Sequence, residues 1–556
     1  MRIPHHTSEG NAAGMAAPWA SGEEAKAGPL VTVLLPTFNR RRYLPQALAS
    51  VLQQTYRNLE IFVVNDGGED VADVVRECSD SRVVFIDRRE NRGKPYSLNE
   101  ALARARGKYV TYLDDDDIYY RHHVKVLVDT LEGDTDCQVA YSDLYKAYCR
   151  VQPDGGREVL SKHVEISRDF DRFLMLYFNH VLHVSLMHRR DLLDRTGLYN
   201  EDLNILIDWD MTRRLAFFSD FHHVPTITGE FYSPITESDR ISVQRRKDPE
   251  EYLRNILAIR TTRPAKPWPK IEDLGVVLLV DRLDKSIAEM LVRIWRYTFY
   301  PYQVYLPVPA ETIARLNIEM PNVIPIPVSP GLSADERLDA TLPRIEETYI
   351  AVVPEGVPVE DMWLENPLYA LINHPAGAGF TLESCATRRW AAVLRCEDLQ
   401  RARKAHPHLS TEASLRACGI DVRVPRAEEL PFQFDELLRQ AKLAETEGNW
   451  AAAAQLFEYM AAHYRNELWM KAMAARAYFE AGRHRNADRL SREVNEQRPT
   501  VDTLLLEAKI HRKRQDYSAA IQLLGCAEQW LGGSVEATAP TAPRGDSKKP
   551  DRAGKF

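Results

Sequence analysis

No apolar run in this 556-residue chain approaches the roughly 20 residues needed to cross a bilayer. The N-terminal stretch has no apolar centre of the kind a secretory signal carries. Residues 1–28, rich in Ala, Gly and Ser, therefore read as a disordered tail. Cysteine is sparse: seven residues without one CxxC pair, which argues against both a zinc site and a disulfide framework. Positive charge is not in excess either. Lys and Arg number 72 against 80 Asp and Glu, a formal net charge of −8, with no basic stripe to follow a nucleic acid. The glycine-rich, lysine-bearing cradle of a triphosphate site is also missing, which disfavours a nucleotidyltransferase. These absences predict a cytoplasmic protein with no transmembrane segment and no nucleic-acid partner.

What the chain does carry is an alternation of short apolar runs with helix-like stretches. Leu30–Leu35, Ile61–Val64, Val83–Ile86 and Tyr109–Leu113 read as strands, and Tyr43–Gln54 and Ser97–Arg106 as helices. That alternation predicts a parallel α/β sheet buried on both faces, over residues 29–262. The Pro-rich stretch 263–270 (RPAKPWPK) reads as a linker. A second α/β block is expected over 271–430, with strand-like runs at Val276–Val280 and Tyr349–Val353. Residues 431–531 show almost no strand signal and a weak internal repeat. Gly448-Asn449-Trp450, Gly482-Arg483-His484 and Gln515-Asp516-Tyr517 recur at spacings of 34 and 33, each followed by a small residue, Ala453, Ala487 and Ala520. That period is the one of helix–turn–helix tetratricopeptide repeats, with a plain helical bundle as the alternative. Residues 532–556 read as a second disordered tail.

Chemistry concentrates at the predicted strand ends. Asp114-Asp115-Asp116-Asp117 directly follows the fourth apolar run. In an open α/β sheet ligands bind beyond the carboxyl ends of the strands. Adjacent carboxylates there repel one another unless a cation is bound, and hard oxygen ligands suit Mg²⁺ or Mn²⁺. A solvated acidic turn is the plainer alternative. Three more polar segments end the other strands: Pro36-Thr37-Phe38-Asn39-Arg40, Asn65-Asp66-Gly67-Gly68 and Asn91-Arg92-Gly93-Lys94. Each alone is an ordinary strand-to-helix turn; four in succession are hard to ascribe to chance.

The motifs PTFNR, VVNDGG, ENRGK, ARGKYVTYLDDDD and IDWDMTRRL, in this order over Leu30 to about Ser242, resemble the family 2 glycosyltransferases, whose GT-A fold is Rossmann-like. The resemblance implies a nucleotide-sugar donor, a divalent metal (Mg²⁺ or Mn²⁺) and inversion at the anomeric carbon, with UDP the favoured nucleotide. It implies that Thr37 and Phe38 line the base pocket, with Pro36 and Asn39 beside them in the nucleotide-sugar site, that Asp66 bonds the base, and that Arg92 or Lys94 faces the nucleotide. Asp116 then touches the metal, Asp114 or Asp115 the ribose, and Asp117 lies behind them or caps a helix. Ile207-Asp208-Trp209-Asp210 occupies the place of the family's acidic pair. Asp208 is thus the expected catalytic base, Ile207 replaces the usual acid, and Asp210 is a weaker candidate for positioning the acceptor. Capping of the following helix is the structural alternative for Asp208.

One departure stands out. Many relatives supply a histidine after this helix as a metal ligand, and FYSPITESDRISV (231–243) has none; His183, His222 and His223 lie elsewhere. Arg245, Arg246 and Lys247 are either a loop closing over the diphosphate or a solvated basic run. In the middle block, Thr348–Gly356 resembles the strand before the aspartates with the aspartates gone, and 389–399 resembles 184–192. This predicts a second, degenerate GT-A-like unit. The acceptor is expected to be a glycan or a protein, with the helical repeats offering a surface for a protein partner. A non-catalytic nucleotide-sugar-binding scaffold is the competing reading.

Overall fold

The computed structural model describes residues 28–530 except 153–155, 165–166, 236–247, 281–284, 314–321, 375, 383–389, 427–428, 432, 464–466, 498 and 500. The tail readings for 1–27 and from 531 onward, and the reading of Arg245, Arg246 and Lys247, lie outside the described residues.

The first apolar runs become parallel strands because both of their faces are covered. Of β1 (Val31–Thr37) only Pro36 is less than fully buried, and β2 (Leu59–Asn65) is buried throughout. With β3 (Val83–Asp87) and β4 (Tyr109–Tyr112) they form a parallel block in the order β3-β2-β1-β4. The sheet continues through β8 (Leu186–Arg189), antiparallel to β4, then β6 (Val139–Val151), β9 (Phe221–Pro234) and the short β5 (Ile118–Tyr119). A further strand, β7 (Arg157–Val164), pairs with β6.

One charge inside β2 shows how the register is held. The Glu60 carboxylate accepts from Thr32 Oγ1 at 2.6 Å and from the N–H groups of Arg106 and Gly107 at 2.6 and 3.0 Å. Burial pushes its pKa up, but these donors outweigh it and keep the carboxyl below its ordinary value. The three bonds together fix the entry of β4 against β1 and β2. Gly107 is required there, since a Cβ would stand 2.5 Å from Thr32 Oγ1.

The second block builds its own sheet from β10 (Leu274–Leu279), β11 (Tyr302–Pro309), β12 (Val323–Val328), β13 (Tyr349–Pro354), β14 (Ala378–Thr381), β15 (Ala392–Arg395) and β16 (Asp421–Arg423). Its order is β12-β11-β10-β13-β15-β14-β16. The first four run parallel, β15 is antiparallel to both β13 and β14, and β16 is parallel to β14. Seven strands of the first sheet, β3-β2-β1-β4-β8-β6-β9, repeat this order and these senses one for one.

The two units share one apolar core. Leu34 and Leu186 of the first sheet lie in the same buried cluster as Leu274 and Val393 of the second. Aromatic contacts join the units, such as Phe173 against Phe299 with 5.5 Å between ring centres. Arg213 crosses this junction. Its buried guanidinium donates to the carbonyls of Leu176, Thr262, Arg260 and Phe299 at 3.3, 2.7, 2.9 and 3.1 Å. Burial pulls its pKa down to about 9, with Arg263 adding to the effect. The stretch 263–270 packs closely here, with Trp268 edge-on to Phe217 at 5.1 Å.

Six helices complete the described residues: Gln433–Thr446, Trp450–His463, Glu467–Glu480, His484–Gln497, Val501–Lys513 and Tyr517–Trp530. Gly448, Gly482 and Gln515 all adopt left-handed backbone (φ 74°, 75° and 64°), each ending the first helix of a pair. Ala453, Ala487 and Ala520 are buried between helices. The last pair meets the first sheet, where Leu504 and Ala527 pack with Tyr145 and Ile227.

Candidate active site

The ends of β1, β2 and β3 are drawn together by the glycines of Asn65-Asp66-Gly67-Gly68. Gly67 has φ 69°, and a Cβ on it would stand 2.4 Å from the Glu90 carbonyl carbon; one on Gly68 would stand 2.7 Å from Asn39 N. Asn39, itself left-handed at φ 54°, accepts from the Glu69 N–H at 3.0 Å. Asp66 is buried, and its two oxygens accept from the N–H groups of Arg92 and Gly93 at 2.9 and 2.8 Å. Arg88 adds an ion pair at 2.9 Å. Asp66 therefore shapes the Asn91–Lys94 turn. Arg92 lies over the Tyr96 ring at 3.4 Å, Thr37 is buried at the end of β1, and Phe38 is left 40% exposed at the rim.

The aspartate run follows β4. Asp114, Asp116 and Asp117 each offer a carboxylate oxygen within 4.8 Å of the others. Cations balance them: Lys94 Nζ lies 2.5 Å from Asp114, and Arg40 pairs with Asp116 and lies 3.9 Å from Asp115. Burial, then the charge of Asp116, pushes the Asp115 carboxyl well above the usual carboxylate range despite Arg40. Asp117 also accepts from the Tyr232 N–H at 3.0 Å, which ties the run to β9. An all-oxygen, hard donor set of this kind fits Mg²⁺ or Mn²⁺.

Asp208 reaches the same place from another part of the chain. The helix Ile207–Leu215 starts after Leu206, which has no capping side chain, so Asp208 sits in the first turn and is not the N-cap. Trp209 Nε1 anchors that turn to the Met175 carbonyl at 2.8 Å. The half-buried Asp208 carboxylate accepts from Asn179 Nδ2 at 3.0 Å. Burial raises its pKa, and Lys94 is the largest opposing influence. Lys94 in turn is pulled down by burial but held above its ordinary value by Asp114, Asp208 and Asp116. One ammonium thus links the aspartate run to Asp208.

Other sequence candidates separate. Asp210 is buried against Arg214 at 2.6 Å and serves the helix. Among the histidines, His183 stacks on Tyr112 at 4.1 Å and bonds the Tyr199 hydroxyl at 2.7 Å. Burial and then Lys94 push its pKa down to about 3, so its ring is neutral beside the site. His222 lies near Asp134, and His223 pairs with Asp143 and Asp169. Sequence reasoning missed Asn179, Arg88 and Arg157. Arg157 donates to the Asp116 carbonyl and lies over the Tyr232 ring at 3.6 Å. No motif marks these three, because each meets its partner across a long separation in the chain.

Residues 32–183 match glycosyl transferase family 2. That span holds the strand-end loops, the aspartate run and His183, and stops before Asp208. An uncharacterized glycosyltransferase of Rickettsia prowazekii is 29% identical over 197 residues, 33% of this chain and 57% of that protein. The glycosyltransferase GlyA of Streptococcus pneumoniae is 39% identical over 100 residues, 17% of this chain and 14% of that protein. Among solved structures, S. aureus TarS 1-349 in complex with UDP-GlcNAc aligns at 19% identity with a TM-score of 0.34, covering 41% of this chain and 65% of that one. The chain thus spans little more than half of the first relative's length and much less of the second's. No helix among the described residues is long and apolar enough to cross a membrane.

Proposed function

We propose that this protein is an inverting glycosyltransferase that moves a sugar from a nucleoside-diphosphate donor, UDP being favoured, to an acceptor hydroxyl. The observation that carries the reading is the gathering of Asp114, Asp116 and Asp208 around the Lys94 ammonium at the strand ends. Phe38, with Pro36, Thr37 and Asn39, borders the base. Asp66, which also holds the Asn91–Lys94 turn, bonds the base, and Arg92 or Lys94 faces the nucleotide. Asp114 or Asp115 meets the ribose. Asp116, with Asp114 and Asp117 close by, would hold Mg²⁺ or Mn²⁺, which supplies charge neutralisation for the leaving diphosphate. Asp208 takes the acceptor proton as the acceptor oxygen bonds the anomeric carbon and the bond to the diphosphate breaks. A carboxylate whose pKa is raised by burial is a stronger base for that task. Asn179 orients it.

The shared order and sense of seven strands supports reading 271–430 as a degenerate copy of 29–262, with a structural or acceptor-binding role. The 34- and 33-residue spacing and the three left-handed turns support tetratricopeptide-like repeats over 431–531, a surface for a protein acceptor or partner. Calorimetric titration with UDP, GDP and TDP, with and without Mn²⁺, tests the central reading. Metal-dependent binding of one nucleotide is expected. Absence of binding by all three would favour a non-catalytic scaffold.

A further inference from the structure

We propose that the cavity between the first sheet and the helical stack is a second binding site, for a pyranose unit of a glycan. The cavity measures about 360 Å³, within the usual range of small-molecule sites. Its floor comes from the first sheet: His223 lies 2.8 Å from Asp143 and 3.0 Å from Asp169, and Ser167 donates to Asp143 at 2.7 Å. Its walls come from the helices Glu467–Glu480 and Val501–Lys513, which contribute Trp469, Met473, Arg476, Asp502 and Lys509. Asp502 lines this space, and its carboxylate also accepts from the Val164 N–H.

Charge and shape select the ligand. A phosphate would meet Asp143, Asp169 and Asp502, whereas a simple cation would meet His223, Arg476 and Lys509. A neutral ring with hydroxyls along its edge satisfies both sets at once, as donor to the carboxylates and acceptor from Arg476 and Lys509, the His223 ring being already paired with Asp143 and Asp169. Its face of C–H groups matches the flat indole of Trp469. The site is distinct from the aspartate run. Strand β9 leads from His223 at the cavity to Tyr232 at Asp117, and nine residues of strand cover about 30 Å. A sugar bound here is therefore not the one undergoing transfer, and its binding does not depend on transfer taking place.

The test uses the full chain with ¹⁵N-labelled tryptophan, the Trp469 indole signal being identified by its loss in Trp469→Phe. Trisaccharides of glucose, mannose, galactose and N-acetylglucosamine are added at about 10 mM, enough to fill a weak site. At least one is expected to shift the Trp469 signal, glycerol is not, and Asp502→Asn should weaken that binding about tenfold. UDP with Mn²⁺ should leave the signal in place, and Asp116→Ala should leave the sugar response intact. Silence of Trp469 towards all four sugars would overturn the proposal, as would an unchanged response in Asp502→Asn. A shift caused by the peptide Lys-Gly-Lys-Gly and by none of the sugars would overturn it in favour of a peptide site.

Discussion

The two sheets share seven strands in order and sense but differ at the strand ends. β4 runs into Asp114–Asp117, whereas its counterpart β13 runs into Glu355 and Gly356. The inner strands, β1, β2 and β4 in one unit and β10, β11 and β13 in the other, are buried and largely apolar whichever loop follows them. Binding chemistry sits in the loops and can be lost while the sheet persists. Residues that build the fold are therefore separable from residues that use it.

The largest expected effect breaks the first sheet's chemistry alone. Asp208→Asn should lower the rate of transfer by about 10²–10⁴-fold while calorimetric donor binding is retained; normal turnover would remove Asp208 as the base. Next, Arg213→Met should cost about 3–4 kcal/mol, read as a lower Tm, because four carbonyls, two of them in fully buried hydrogen bonds, lose their donor.

The two units should also differ in pH response. Burial pushes Glu365 of the second unit up to about 7 from 4.5, although the Phe299 and Tyr300 N–H groups oppose it. A raised carboxyl contributes stability that is complete below about pH 4.5 and lost as pH rises through 7. In the first unit, burial would lower His223, but Asp143 and Asp169 outweigh it and raise the ring to about 9 from 6.5. Its contribution is complete below about pH 6.5 and lost as pH rises through 9. Each loss is on the order of 3 kcal/mol. Hydrogen exchange should show the Phe299–Tyr302 entry to β11 loosening in the lower window and β6 and β9 in the higher one; Glu365→Gln should flatten only the first. The smallest effect sharpens the strand-end contrast: Asp116→Ala should weaken metal-dependent nucleotide binding about tenfold by calorimetry, and Glu355→Ala should not change it.

Much of the fold was legible in sequence where the signal is local. The apolar runs before PTFNR, NDGG and DDDD appear as β1, β2 and β4, and the periodic Gly448, Gly482 and Gln515 fall at helix ends. Helix limits were less legible. The helix expected over Ser97–Arg106 spans Lys94–Leu102, since the turn held by Asp66 lets Gly93 and Pro95 start it early. Contacts across long separations were not legible. Asn179, just past the helix Arg172–Tyr177, meets Asp208, and Arg157 of β7 meets the Asp116 carbonyl, contacts that no local pattern marks. The copied topology of the second unit was visible only as two short resemblances, because buried apolar runs carry little individual identity.

Arg213 has one further consequence, for the order in which the chain is made. Its last acceptor, the Phe299 carbonyl, lies 86 residues downstream. A nascent chain that has released the first unit offers this guanidinium the carbonyls of Leu176, Arg260 and Thr262 but not that of Phe299, so the helix Ile207–Leu215 gains its last anchor only once the second unit begins to emerge. The second unit is thus the template on which the helix carrying Asp208 is finally locked.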